Sequence, residues 1–153
     1  YTVVSPIIQE KRNEVENVAV EEIRQEVQKM IDEENYYPAR ALVYDYVLVK
    51  NSNETLYSLY NICENKIKEL QKAEEQAKIE KERFDYEVYC YFGLIAWKTD
   101  NITDDIAFSK CAKKFGITKE QAEECYHTVE PKGWWYQDEY PDIFEKYASQ
   151  YYN

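Results

Sequence analysis

Glycine and histidine are scarce in this sequence, and their scarcity excludes several kinds of functional site. The 153 residues include three glycines, too few for the glycine-rich loops that bind phosphate groups. Any Ser-His-Asp or Cys-His arrangement would have to use His127, the single histidine. Cys125 is two residues away, a spacing that directs the two side chains to different faces of a helix. We therefore expect no catalytic residues and no cofactor in this chain.

Proline is also rare, and the pattern of apolar residues has the period of a helix. Four prolines in 153 residues favour long helices over a β fold with many turns. The fold class predicted is all-α, a helical bundle or helical-hairpin architecture. The predicted helices span 6–34, 38–50, 53–83, 86–98, 104–115 and 119–129, with a last one from about 140, and a polar turn is expected at 51–53.

A charged run separates the two halves of the sequence. Residues 72–83, KAEEQAKIEKER, favour a helix but offer few apolar positions. The sequence thus predicts two small helical units joined by a long charged helix, with domains 1–84 and 85–153. We expect Asp85 to cap the helix that follows, and Trp97 to belong to its very hydrophobic pattern.

The stretch from Asp104 to Val129 specifies a shape by spacing alone. Gly116 separates two helical patterns and can adopt the left-handed conformation that ends a helix. Thr118 followed by Gln121 has the spacing of a capping box, and Thr103 is the expected cap of the first helix. The apolar positions expected to face a core are Ile106, Cys111, Ala112, Phe115, Ile117, Ala122, Cys125 and Val129.

This hairpin resembles a helix-turn-helix unit through its small residues at Ala112, Gly116, Ala122 and Cys125. The resemblance implies a regulator that acts through DNA or through protein contacts. A DNA-reading helix needs cations for phosphate contacts, whereas the second helix here offers Lys119 among several glutamates. With a formal net charge of −11, the chain is expected to be repelled by nucleic acid.

The first residues and the first helices suggest two further resemblances. The segment YTVVSPIIQ resembles the exit from a transmembrane anchor in membrane proteins of Gram-positive bacteria, which implies an anchored, extracytoplasmic domain. A trimmed cytoplasmic protein is the alternative. Asn35-Tyr36-Tyr37-Pro38-Ala39 resembles a corner of tetratricopeptide-like repeats. That family binds peptides in a helical groove, but the resemblance assigns no binding residues in this chain. The groove around Tyr36, Tyr37 and Tyr44 is, separately, the second candidate contact surface.

Tyrosine is unusually frequent, and aromatic residues concentrate near the C-terminus. The 16 tyrosines suit contact surfaces, and they also suit the wet rims of small helical cores. The densest aromatic cluster is the first candidate for a partner-binding patch, with a lid over the second core as the alternative. Its members are Trp134, Trp135, Tyr136 and Tyr140.

Cysteine and carboxylate patterns leave a few chemical alternatives open. The four cysteines are expected as buried free thiols, and Cys111 with Cys125 is the pair that could form a disulfide across the hairpin. Glu124 and His127 share a helix face, but no second histidine completes a di-iron motif, so we expect no metal site.

These patterns favour a non-enzymatic interaction or structural module that binds a protein or peptide. A second copy of the chain, in a homodimer, is one partner that the long charged helix would suit. The alternatives are the helix-turn-helix regulator and an enzyme with a carboxylate site, which a cluster of buried carboxylates would favour.

Overall fold

The computed structural model describes residues 6–49 and 54–153, apart from the side chains at positions 12, 13, 15, 16 and 47–49. Within these ranges the chain is all α-helical and contains no strand, as the sequence predicted. The helices are α1 (Pro6–Asp32), α2 (Tyr36–Val49), α3 (Glu54–Lys98), α4 (Asp104–Phe115), α5 (Lys119–Val129), α6 (Gly133–Glu139) and α7 (Pro141–Ala148), and a 3₁₀ turn, Glu130–Lys132, lies between α5 and α6. Ser5, the expected cap of the first helix, and the turn predicted at 51–53 lie outside the described residues.

The long helix α3 corrects the prediction of a helix break near Asp85. One helix spans Glu54–Lys98, where two were expected. Asp85 does not cap a helix. Its side chain is buried, and it accepts a hydrogen bond from Lys81 one turn earlier at 2.7 Å. Because that i,i+4 pair satisfies the carboxylate inside the helix, the aspartate does not have to end it.

The chain divides into two compact units, Tyr1–Glu74 and Glu75–Asn153. The division falls inside the charged run and earlier in the chain than the predicted boundary at 84/85, so α3 contributes residues to both units. Each unit has its own buried residues. The units are therefore described separately.

The unit Tyr1–Glu74 packs α1, α2 and the first part of α3 around an aliphatic core. Helix α1 ends where Glu34 adopts a left-handed conformation, with a φ of 61°. The next amide, that of Asn35, donates to the carbonyl of Met30 at 2.8 Å, which closes the helix end. The core comprises Val27, Ala39, Val43, Leu56, Leu59 and Cys63.

The unit Glu75–Asn153 contains the predicted hairpin, and its turn is confirmed in detail. Gly116 has a φ of 67°, and the amide of Ile117 donates to the carbonyl of Ala112. The amide of Gln121 donates to the Thr118 hydroxyl at 3.1 Å, and the Gln121 side chain accepts from the Thr118 amide at 2.9 Å. This reciprocal pair is the capping box that the sequence predicted.

Two side chains of this unit depart from the predicted core. Ile106 and Trp97 are both exposed, Trp97 by 60%. At 100° per residue, Ile106 lies on the opposite side of α4 from Phe115, so it cannot share the buried face. Phe108 is buried instead, and its ring stacks on that of Phe92 with centroids 4.6 Å apart.

Helix α6 was not expected from the sequence. Pro131 and Lys132 end the 3₁₀ turn, which leads directly into the helix Gly133–Glu139. As a result, Trp134, Trp135 and Tyr136 lie on one short helix and point to different sides of it. The aromatic core that this helix joins comprises Tyr86, Cys90, Leu94, Val129, Tyr136, Tyr140, Ile143 and Tyr147.

Candidate functional site: an aromatic cleft in the C-terminal unit

The hairpin presents few free cations where a DNA-reading unit would need them. Lys119, the basic residue at the start of α5, forms an ion pair with Asp105 of α4. Lys114 lies over the ring of Tyr91, 5.2 Å from its centroid. Glu120 and Glu124 are exposed on α5. This arrangement gives the second helix an acidic surface, which is unfavourable for phosphate contacts.

The residues considered for metal or carboxylate chemistry are separated or already paired. His127 lies beside Glu130, with 3.3 Å between Nδ1 and Oε2, and both side chains are exposed. No group of three or more potential metal ligands occurs in the described part of the chain. Asp85 is the sole buried charged residue there, and it is paired with Lys81. A cluster of buried carboxylates, the feature that would favour the enzyme alternative, is therefore missing from the described residues.

The four cysteines are buried free thiols. Cys111 and Cys125 belong to the same buried cluster but form no disulfide in the structure. Burial raises the pKa of Cys111 to about 11 and that of Cys125 to about 12. Both therefore stay protonated near neutral pH and are poor nucleophiles.

The structure divides the predicted C-terminal aromatic patch between surface and core. Trp134 is 70% exposed, whereas Tyr136 and Tyr140 are 2% and 6% exposed. The Tyr140 hydroxyl donates to Glu82 of α3 at 2.5 Å, which anchors this ring in the core. Trp135 is partly buried and contacts the rings of Tyr136 and Tyr140 edge-on. Tyr136 and Tyr140 are thus corrected from contact residues to core residues, because packing against α3 covers their rings.

The second predicted surface lies in the unit Tyr1–Glu74. Tyr37 and Tyr44 are about half exposed, and Tyr36 is partly buried. Arg40 lies over the Tyr37 ring and forms an ion pair with Glu64 at 2.9 Å. A shallow hollow of about 330 Å³ next to this pair is lined by Arg40, Ala41, Tyr44, Asp45, Tyr60 and Glu64. Of the three predicted tyrosines, Tyr44 lines this hollow.

A larger cleft, of about 640 Å³, lies in the unit Glu75–Asn153. Helices α3, α5, α6 and α7 and the segments that follow α5 and α7 all contribute to it. Its lining comprises Tyr86, Tyr89, Cys90, Phe92, Gly93, Ala96, Tyr126, Glu130, Pro131, Gly133, Trp134, Gln137, Phe144, Tyr147, Ala148 and Tyr151. Sequence reasoning identified Trp134 but missed the cleft, because its lining comes from distant segments.

Two of the three glycines line this cleft, and one of them permits a close approach. A Cβ atom on Gly93 would lie 3.1 Å from the hydroxyl oxygen of Tyr151. A side chain at position 93 would therefore crowd the phenol of Tyr151, which lines the cleft. A glycine within a strongly hydrophobic helix pattern is the sequence signal that could have indicated a close approach here.

Stacked aromatic rings form the wall of the cleft. The rings of Tyr86 and Tyr89 lie nearly parallel, with centroids 6.2 Å apart. The Tyr126 ring lies 5.1 Å from that of Tyr89 and 4.5 Å from that of Phe92. Trp134 and Phe144, both exposed, extend this aromatic surface towards solvent. The cleft thus offers large, rigid ring faces that a ligand can contact at a low cost in conformational entropy.

The polar groups of the cleft are neutral at physiological pH, with one exception. Burial raises the pKa of the Cys90 thiol to about 11, and it raises the pKa values of the Tyr86 and Tyr147 phenols as well. Glu130 is the exception, since it is the only Asp, Glu, Lys or Arg among the described residues that line the cleft. Such a lining suits binding by ring contacts and hydrogen bonds better than it suits proton transfer.

Comparison of the chain with protein-family models, with curated proteins and with solved structures gave no match. Among residues 6–49 and 54–153, no helix is both long enough and apolar enough to cross a membrane.

Proposed function

We propose that this protein is a non-enzymatic interaction module that binds a peptide segment of a partner protein in the aromatic cleft of its C-terminal unit. The observation that carries the proposal is the exposed Trp134 at the mouth of a cleft walled by stacked tyrosines. Tryptophan and tyrosine dominate the binding energy of protein interfaces, especially next to a pocket. A mostly aromatic, concave site with a few polar groups is the usual form of a binding site.

The shape of the cleft supports a peptide as the occupant. Its volume of about 640 Å³ is sufficient for one or two large side chains and the backbone that joins them. Phenolic hydroxyls and the Gln137 amide line it, and both groups can hydrogen-bond to a peptide backbone. Catalysis is the weaker interpretation, because the lining thiol is protonated and the lining phenols are neutral at pH 7.

The test is selection of peptides followed by affinity measurement on matched variants. A random-peptide library is selected on the immobilised full chain, and enriched peptides are synthesised with a fluorophore. Anisotropy titrations then compare the parent chain with Trp134→Ala and Trp97→Ala. Trp97 is the matched control, since it is 60% exposed in the same unit and does not line the cleft.

Trp134→Ala is expected to weaken binding by roughly tenfold or more, as expected for a tryptophan at an interface hot spot. Trp97→Ala is expected to leave the affinity within about twofold of the parent value. Peptides that bind all three proteins equally would contradict the proposal, and so would a selection that yields no peptide dependent on Trp134.

A further inference from the structure

We infer that the group which the cleft selects is a cationic side chain, the guanidinium or ammonium of an arginine or lysine in the partner peptide. This inference rests on the proposed function and names the chemistry of its ligand. Three observations carry it: the aromatic wall, the single carboxylate of the lining, and the absence of Lys and Arg among the described residues that line the cleft.

The aromatic wall supplies the first part of a cation site. Tyr89 and Tyr126 lie 5.1 Å apart with their rings tilted by 31°, and Trp134 lines the same cleft. The faces of tyrosine and tryptophan rings carry negative electrostatic potential, so a cation within about 6 Å of a ring centroid is attracted. Several such rings around one volume favour a cation over a neutral group of the same size.

Glu130 supplies the second part. It lines the cleft immediately after α5, and its side chain remains 54% exposed, so an incoming cation can reach its carboxylate. Burial raises the pKa values of the Tyr89 and Tyr126 phenols, and the nearby negative charge of the Glu130 carboxylate raises them further. The Oε2 atom of Glu130 lies 3.3 Å from Nδ1 of His127, and the His127 side chain is itself exposed.

Several cations of this unit already lie over aromatic rings, and one of them, Lys146, lies 5.2 Å from the ring centroid of Tyr147, which lines the cleft. Lys132 lies over the rings of Trp135 and Tyr136, 5.2 Å and 5.8 Å from their centroids. Arg83 lies over Tyr140 and Lys114 over Tyr91. This unit therefore pairs cations with aromatic rings repeatedly, while the lining of the aromatic cleft itself contains a carboxylate and no Lys or Arg.

The charge of the whole chain favours the same partner chemistry. A formal net charge of −11 attracts a basic peptide over long range and repels an acidic one. Within the cleft, an acidic side chain would meet the Glu130 carboxylate with no cation in the lining to offset it. An arginine or lysine side chain would instead interact favourably with both the faces of the aromatic rings and the Glu130 carboxylate.

The experiment uses pairs of peptides that differ only in charge. The peptides selected on the full chain should carry an enriched arginine or lysine. Each is resynthesised with citrulline in place of arginine, or norleucine in place of lysine, which removes the charge and preserves most of the shape. On the parent chain, the neutral peptide should bind roughly tenfold more weakly.

Two variants of the chain locate the effect at Glu130. Glu130→Gln should weaken the cationic peptide by roughly threefold to fivefold and leave the neutral peptide nearly unchanged, so that the difference between the two peptides narrows to the part that the ring faces contribute. Glu124→Gln is the control, since it removes the same charge from the exposed surface of α5 outside the cleft. It should leave the difference between the peptides intact.

The outcomes separate this inference from the proposed function. Cationic and neutral peptides that bind equally, with both losing affinity in Trp134→Ala, would overturn the inference and leave the peptide-binding proposal standing. Failure to obtain any Trp134-dependent peptide would overturn both. Displacement of the peptide by free methylguanidinium at the peptide's own concentration would overturn the assignment to a peptide and point to a small organic cation.

Discussion

Aromatic rings make up six of the sixteen buried residues in the two core clusters of Glu75–Asn153, whereas the core cluster of Tyr1–Glu74 comprises five aliphatic side chains and Cys63. Aliphatic side chains interdigitate closely and need no hydrogen bonds. Tyrosine rings are rigid, and each hydroxyl needs a partner or water. The C-terminal unit meets that need by hydrogen-bonding Tyr140 to Glu82 and Tyr147 to Glu87, both on α3.

The same difference explains why the larger cleft belongs to the C-terminal unit. Flat rings anchored by their hydroxyl groups cannot move to fill every space between short helices. The described cavity of the N-terminal unit next to Tyr44 is about half as large, at 330 Å³ against 640 Å³. The aromatic part of its core thus accounts for the larger cleft of this unit.

Among the changes that test this difference between the two units, removal of a central aromatic ring should lower the free energy of unfolding the most. Tyr86 is 2% exposed and packs against Tyr89 and Tyr136. By analogy with buried Phe→Ala changes, Tyr86→Ala should lower the free energy of unfolding by about 3–5 kcal/mol. All three tryptophans lie in this unit, so urea unfolding followed by tryptophan fluorescence measures it.

The control for Tyr86→Ala is Tyr57→Ala, which removes a half-exposed ring from the other unit. It should change the tryptophan-detected transition by about 0.5 kcal/mol or less. Equal effects of the two substitutions would mean that the aromatic core does not stabilise the C-terminal unit in the way proposed here.

Truncation of a buried aliphatic residue in the N-terminal unit should cause the second largest loss of stability. Leu59 is buried in the cluster with Val43 and Leu56, and Leu59→Ala should cost about 2–4 kcal/mol through lost burial and an added cavity. Amide hydrogen exchange measured on peptides from α2 and the first part of α3 would detect the loss of protection. Ile62→Ala, at an exposed position one turn later, should leave that protection nearly unchanged.

Alkaline pH should destabilise the C-terminal unit through its buried thiols. Burial raises the pKa of Cys90 from 9.0 to about 11, so the folded chain holds this proton more tightly than the unfolded chain does. The resulting stability is fully present below pH 9 and is lost as the pH rises through 11. We expect the loss from Cys90 to be about 2 kcal/mol by about pH 10.5, measured by urea unfolding monitored by circular dichroism.

Cys90→Ala provides the comparison for this pH dependence. The substitution removes the titrating thiol, so the free energy of unfolding should fall less steeply between pH 9 and 11 than in the parent chain. The raised pKa values of Tyr86, Tyr140 and Tyr147 should preserve, in both proteins, a decline that begins near pH 10, the ordinary pKa of a phenol, and continues at higher pH. A parent and a variant with parallel pH profiles would show that Cys90 does not contribute.

The smallest expected effect is at the capping box of the hairpin. Thr118→Ala removes the hydroxyl that accepts from the Gln121 amide, and it should cost about 1 kcal/mol. Thr118→Ser keeps the acceptor and should restore most of that stability. Amide exchange at the start of α5 distinguishes the two variants, and equal protection in both would argue against a role for the cap.

Local signals in the sequence were sufficient for much of the secondary structure. Gly116, Thr118 and Gln121 act within one turn of the chain, so the hairpin followed from their spacing alone. The break expected at Asp85 was wrong because an aspartate caps a helix in one context and pairs with a lysine in another. The exposure of Ile106 follows from helix geometry, since 100° per residue places it about 180° from Phe115 on α4. The exposure of Trp97 depends on which neighbours cover its face, and periodicity does not specify those neighbours.

The candidate site was predicted less completely than the fold. Trp134 was identified by the density of aromatic residues, and the structure exposes it beside the cleft. Tyr136 and Tyr140 share that density but are buried, because hydrogen bonding and packing against α3 hold them inside. Tyr89, Tyr126 and Glu130 were not singled out, since nothing in their own sequence neighbourhoods marks them as parts of one cleft.

The sequence by itself determined that this chain is all α-helical, and it determined where the hairpin turns. Helix propensity, caps and a left-handed glycine act over a few residues, and those residues are adjacent in the chain. The tertiary structure alone decided which of the tyrosines form a core and which line a cleft. Tyrosine is stable in either place, and its burial depends on side chains that approach from distant helices.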